Sequence, residues 1–376
     1  MIRAIVCCFF CFVLTGCWGM KDIDHLAYIH VIGIDYEDDQ VIAYAQLISF
    51  LGLAKVEAGG SREKSTVAIG KAKGETFNVA TDRLYHSIQQ GVSWGHIKGI
   101  VFTERALKKG LVRDVIDVLD RYNEIRYTIW AFTTKESIEQ LFETTPFLDY
   151  SPYFSLLANP TDIYKQSSFI QPKRINELIA ASNEKAVTFP LPSLSVEEKS
   201  WTENKKKKPM LKIDGVCFLH RYNKQACIPR HKLDGLRWIT KGTGRTPIYM
   251  KPNGKMIGTL VVREPKSSIS YKIKDGHPVF TVEVQATGSI VELRERMSEK
   301  QIVEYASKTV EKEIKNLFEL GVKEGVDTLQ LSNALYRQNV NDWRKYTTNG
   351  VVPLTKNTLQ RIHVKLSIDT YGKSKK

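Results

Sequence analysis

The first seventeen residues constrain everything that follows them. Arg3 and the amino terminus carry positive charge, an apolar run extends from Ala4 to Leu14, and Leu14-Thr15-Gly16-Cys17 closes it. A membrane-spanning helix needs about 20 apolar residues, so the run is too short to persist as one. It reads as a signal peptide over residues 1–16. Thr15 and Gly16 are small, and with Leu14 before them they match a bacterial lipobox. Cys17 is therefore expected to receive a covalent diacylglycerol and to become the first residue after cleavage. An ordinary secretory signal with a chance Cys at its cleavage site is the alternative. One acyl chain binds a bilayer reversibly and two hold a protein stably, because each buried methylene contributes about 0.8 kcal/mol. Residues 17–21 would form the anchor, with the Trp18 ring suited to the headgroup region. No later segment has the ~18 consecutive apolar residues of a spanning helix.

The apolar fraction, 42%, is that of a globular protein, and the length suits two or three domains. The formal net charge is +14. Such a balance fits either an anionic membrane surface or nucleic acid. Export argues against nucleic acid, and no zinc finger, helix-turn-helix or RNA-binding aromatic signature occurs. Charge scattered over solvated faces is the plainer reading. Cys7, Cys8, Cys11 and Cys17 lie in or at the end of the signal, which leaves Cys217 and Cys227 for the body. The body is not a disulfide-rich scaffold.

The pattern predicts an N-terminal α/β domain over residues 22–195. Strands at 28–35 and 40–49 make a hairpin over Glu37-Asp38-Asp39. Leu53 to Lys73 reads as a mobile loop. Thr76 caps a helix that ends at Gly91, and a strand at 96–103, a helix at 106–122 and a strand at 126–133 follow. Residues 196–210, with Lys205 to Lys208, read as a linker. A basic membrane-touching segment is the sharper alternative. Residues 211–372 form a C-terminal α+β region, divisible into lobes 211–262 and 263–372. Its clearest element is a helix opened by the Ser298/Gln301 capping box, with Ile302, Ala306, Val310, Ile314 and Leu317 on one face. A helix at 329–345 and a strand at 361–371 complete it. The fold class is α/β and α+β, with mixed sheets flanked by helices.

No catalytic constellation emerges. Gly91-Val92-Ser93-Trp94-Gly95 matches the nucleophile pattern, but a helix precedes the Ser and a strand follows it, the reverse of the required order. A turn at a helix end accounts for both glycines. Ser61-x-x-Lys64 and Ser182-x-x-Lys185 lack the companion motifs of penicillin-binding enzymes. Asp114, Asp117 and Asp120 lie on the outward face of a helix. Cys217, His220, Cys227 and His231 are close enough in sequence for a zinc site, yet Cys217 and His220 would point to opposite faces of a strand. A hairpin centred on Tyr222 would place the two cysteines opposite each other, so a disulfide is open to them. Two free thiols are the default state.

Several stretches resemble one family in order and spacing. These are LTGCW from Leu14, GIDYEDD from Gly33, KGETFNVATDRL from Lys73, GHIKGIVFTERALKKGL from Gly95, FPLPSL from Phe189, LSNALYRQNVNDWRKY from Leu331 and IHVKLSIDTYG from Ile362. They resemble the Ger(x)C lipoproteins, the GerAC-type C subunits of nutrient germinant receptors in endospore-forming bacteria. The resemblance covers nearly the whole chain. It departs at Gly19, where the family often carries an acidic residue, and at the Cys217/Cys227 pair. It implies a lipid-anchored body on the outer face of the spore inner membrane, partnered with integral membrane subunits A and B. It implies no enzymatic step, and from the residues no metal and no cofactor beyond the diacylglycerol on Cys17 is expected. The rival expectation is a cell-envelope solute-binding or wall-modifying lipoprotein, which would need a pocket with convergent polar groups.

Overall fold

The computed structural model describes residues 26–48, 67–122 and 124–370. Cys17, Trp18, Ser61, Lys64 and most of the loop expected from Leu53 lie outside those residues.

β1 (Leu26–Glu37) and β2 (Gln40–Ile48) form the expected hairpin. It turns at Asp38 and Asp39, both at positive φ (51° and 57°), as a two-residue connection of matching twist requires. β3 (Val67–Gly74) adds to β2, so the end of the expected loop is a strand: the free edge of β2 supplies its hydrogen-bond partners. α1 (Phe77–Tyr85) follows, with Thr76 Oγ1 accepting from Val79 N. Next come β4 (Gly91–Ser93) and β5 (Gly99–Thr103). The helix expected over 106–122 is two, α2 (Glu104–Lys109) and α3 (Leu111–Arg121), because Gly110 at φ 83° closes the first. β6 (Trp130–Thr134), α4 (Ile138–Glu143), α5 (Thr161–Gln166), β7 (Lys173–Arg174), α6 (Ile175–Asn183) and β8 (Phe189–Glu197) complete this half.

β1, β5, β6 and β8 are parallel neighbours and form the buried centre of a ten-stranded mixed sheet. α1, α2, α3 and α6 cover one face. α4 covers the other, pressed so close that a Cβ on Gly33 would stand 2.6 Å from Ile138.

The expected linker at 196–210 is the outer end of a hairpin within this sheet. β8 pairs antiparallel with β11 (Met210–His220), from Glu197 opposite Met210 to Phe189 opposite Leu219. Between them β9 (Thr202–Glu203) and β10 (Lys206–Lys207) make a ribbon turning at Asn204 and Lys205. Its polarity reflects exposure, with Lys205, Lys206 and Lys207 in solvent. β12 (Asn223–Pro229) pairs with β11 and gives the order β12-β11-β8-β6-β5-β1-β2-β3.

The remaining elements are α7 (Leu236–Ile239), β13 (Arg245–Met250), β14 (Gly258–Lys274), β15 (His277–Leu293), α8 (Glu299–Glu324), α9 (Leu331–Gln338), α10 (Val340–Tyr346) and β16 (Leu359–Thr370). They build a second sheet ordered β13-β14-β15-β16. α8 opens with the Ser298/Gln301 capping box and buries the predicted face. The division drawn between 262 and 263 falls inside β14: Glu264 (φ 46°) and the donorless Pro265 bulge the strand without ending it. The helix expected over 329–345 breaks at Asn339, whose side chain accepts from Asn341 N and Asp342 N and starts α10.

Strand alternation joins the halves. Val216 and Phe218 enter the core around Trp238, while Cys217 and Leu219 enter the core of the large sheet. Gln330, at φ 62°, accepts from Thr188 N and donates to Thr188 O, so one side chain satisfies both backbone groups of the residue just before β8. No helix among the described residues is long and apolar enough to cross a membrane.

Candidate functional site

The starts of β1, β5 and β6 lie at one end of the large sheet and border an open cleft of about 840 Å³. Lys98 enters it just before β5, and its Nζ stands 4.9 Å from the centroid of the Tyr153 ring. Arg174 in β7 lays its guanidinium 4.0 Å from the Trp130 ring centroid and donates to Thr128 O. Both cations thus sit on aromatic faces, a contact worth about 0.5–2 kcal/mol. His96 meets the edge of Tyr28, with ring centroids 4.9 Å apart. Glu124 accepts from Trp94 N at 3.2 Å, and Arg126 is exposed on the rim. The cleft is suited to holding anionic or polar groups among cations and rings.

Behind it His30 is buried, its Nδ1 2.8 Å from Gln46 Oε1. Gln46 Nε2 donates to Phe142 O, so its Oε1 accepts from a neutral His30. Burial lowers the His30 pKa to about 4, Lys98 assists, and the Gln46 bond opposes.

Open α/β sheets collect ligands at the carboxyl ends of their strands. Here that end is occupied by an ion pair. Asp35, near the end of β1, accepts from Thr103 Oγ1, from Tyr36 N at 2.7 Å and from Arg105 Nε at 3.0 Å. Burial would raise its pKa, but the bonds from Arg105, Thr103 and Tyr36 outweigh that and hold it below the ordinary value. The Gly-Ile-Asp stretch is thereby structural: Gly33 admits α4 and Asp35 anchors α2.

Ser93 stands in β4 and borders the cleft with His96 and Glu124, and among the described residues no hydrogen bond joins it to His96. Gly91 is a strand residue rather than the helix-end turn expected. Ser182 is buried and Lys185 exposed, and no bond joins them. Asp114, Asp117 and Asp120 are exposed, with Asp117 paired to Arg121 at 3.0 Å.

Cys217 and Cys227 are directly opposed across β11 and β12 and are bonded as a disulfide, with Glu104 nearby. The two histidines are not with them. His220 lies against the carbonyls of Val187 and Asn349, and His231 borders a separate hollow with Glu313. The four residues therefore do not close a zinc site.

Sequence reasoning did not single out Tyr153, Trp130, Glu124 or Arg174 for the cleft. They come from segments far apart in the chain, and no local period links them.

Fold and cleft define an α/β body with three hydrophobic clusters and an open hollow at the amino ends of its parallel strands, beside the start of β1. The chain belongs to the GerAC family of spore germination proteins: residues 19–196 match the spore germination protein N-terminal domain, and residues 214–372 match the spore germination B3/GerAC-like C-terminal domain. It is similar to spore germination protein KC of Bacillus subtilis (strain 168), at 23% identity over 354 residues, covering 89% of this chain and 86% of that protein. Spore germination protein YndF of the same organism is 20% identical over 343 residues, covering 83% and 81%. Among solved structures, the crystal structure of the GerBC protein matches the fold with a TM-score of 0.53 at 16% identity, covering 92% of this chain and 99% of that one. The two family domains divide the chain near the hairpin end, although the large sheet runs across that division.

Proposed function

We propose that this chain is the lipid-anchored C subunit of a spore nutrient germinant receptor. A diacylglyceryl group on Cys17 would hold the body on the outer face of the spore inner membrane. There it acts by assembling with the integral membrane A and B subunits, without a chemical step or cofactor of its own. Tethering raises the local concentration of the body near those subunits. The observation that supports this reading most is the presence of both GerAC-type domains, in order, on one chain that begins with a lipobox.

The test is germination of spores lacking the chain, followed as dipicolinate release. Loss of a nutrient response, with the response to exogenous calcium dipicolinate intact, supports the receptor role; unchanged responses to every nutrient count against it. A Cys17→Ala variant is expected to leave the membrane fraction and to weaken germination. Normal retention and normal germination in that variant would sink the tether.

A further inference from the structure

We propose that the loop over residues 145–154 and the hairpin over residues 198–209 together form a second, non-covalent contact, docking the body on an anionic lipid surface.

Aromatic rings form two groups, one within the loop and one joining the loop to the hairpin. Tyr153 meets Phe154 at a centroid distance of 6.0 Å, Phe154 meets Tyr150 at 6.2 Å, and Phe147 meets Trp201 at 5.0 Å. The segments are held to each other: Leu148 N donates to Glu203 Oε1 at 2.6 Å, and Lys208 Nζ to Thr145 Oγ1 at 3.1 Å. Yet large apolar groups stay in solvent, with Phe154 56%, Trp201 53% and Leu148 61% exposed. Both turns, Leu148-Asp149 and Asn204-Lys205, have two successive residues at positive φ, so each segment reverses tightly.

The charge decides the partner. Lys205, Lys206 and Lys207 are exposed at one end of the strip, and Lys98 covers the Tyr153 ring at the other. Protein interfaces are depleted in Lys at their centres. Rings flanked by lysines match instead the boundary between headgroups and acyl chains of an anionic leaflet. The strip also ends at the cleft that Leu26 borders, and Leu26 stands nine residues beyond Cys17. Nine extended residues reach about 30 Å. A tether of that length is compatible with the strip lying against the leaflet that holds the anchor. In this respect the inference rests on the membrane assignment above.

The test is hydrogen exchange on the full-length protein reconstituted in vesicles of phosphatidylglycerol and phosphatidylcholine in equal parts, against phosphatidylcholine alone. Exchange over 145–154 and 198–209 is expected to slow about tenfold on the anionic vesicles only, with α8 unchanged as the folding control. The slowing is expected to vanish in 1 M salt, where screening acts within about 3 Å. Replacing Lys205, Lys206 and Lys207 together by Glu is expected to weaken the contact about a hundredfold, or ~5-fold per lysine. Equal exchange on both vesicles overturns the proposal. So does slowing seen only when the integral membrane subunits are co-reconstituted, which assigns the strip to a protein partner. Mass spectrometry of the amino terminus separates the two readings: a Cys17 without lipid overturns the anchor alone, while binding of that chain to anionic vesicles still reads the strip.

Discussion

Val216 and Cys217 are neighbours in sequence and members of different hydrophobic cores. Val216 packs with Trp238 and the long helix side of the molecule, and Cys217 packs with the large sheet. β11 is thus a wall common to both halves. Truncating a buried aliphatic side chain costs about 2–5 kcal/mol. Val216→Ala, which removes less, is expected to cost about 1–3 kcal/mol and to lower the urea midpoints of fluorescence and of exchange in both halves together. A shift confined to the C-terminal half would mean that the cores unfold independently.

The opposed pair Cys217 and Cys227 closes a ten-residue separation. Short loops remove little unfolded-state entropy, about 3 kcal/mol for a 15-residue loop, and residues 217–227 are already paired by backbone hydrogen bonds. Reduction, or Cys217→Ala with Cys227→Ala, is expected to lower stability by about 2–3 kcal/mol without unfolding the body. Thiol titration of denatured protein, with and without reductant, checks the bond: two reactive body thiols before reduction would show that they are free.

Asp35 gives an acid dependence of definite sign. Its folded pKa lies below the ordinary 3.8, so its contribution is complete above that value and is lost as pH falls through the folded pKa. Arg105 is 58% exposed and Asp35 only 6% at the side chain, so solvent discounts the Coulomb part and the buried acceptor carries most of the cost of a deletion. Arg105→Ala is expected to cost about 1–2 kcal/mol at neutral pH and to move the acid transition to higher pH. Unchanged stability at both pH 7 and pH 3 would show that water replaces the guanidinium.

His30 acts in a different window. The unfolded chain takes up a proton near pH 6.5, while the folded imidazole resists it until about pH 4. Stability is therefore full above 6.5 and declines as pH falls toward 4, by about 3 kcal/mol over the window. His30→Gln is expected to flatten that decline. Wild-type protein whose urea midpoint does not change between pH 6.5 and 4 would refute it.

Gly350 stands at φ 87°, and a Cβ there would meet Lys185 O at 2.1 Å. It lets the segment after α10 lie against the turn between α6 and β8 at Lys185, and Trp343 Nε1 donates to Gly350 O at 3.0 Å. Gly350→Ala is expected to cost more than about 1 kcal/mol and to speed exchange around Lys185. Equal exchange there would show that the two segments separate without cost.

Much of this protein was legible in the sequence because the relevant physics is local. The Ser298 capping box and the apolar face from Ile302 to Leu317 specify α8 without reference to anything it packs on. A hairpin near Tyr222 was legible, but the register that opposes Cys217 to Cys227 also needs the bulge beside Phe218, without which the Arg221-Tyr222 turn would set Cys217 opposite Ala226. The breaks at Gly110 and Asn339 were missed, since a periodic apolar face continues across a kink that a cap creates. The role of residues 196–210 was missed for a deeper reason. A lysine-rich stretch is equally polar as a linker and as an exposed hairpin end, and only pairing of β8 with β11 tells them apart. The cleft and the aromatic strip likewise assemble from segments tens of residues apart, and no period records which distant surface a strand end will meet. The sequence by itself determined the β1–β2 hairpin, the long helix α8 and the family resemblance, because each rests on a local pattern. The tertiary structure decided which strands share a sheet, which core each face of β11 enters, and that Lys98 meets Tyr153 and Phe147 meets Trp201, because those contacts join segments that no local pattern relates.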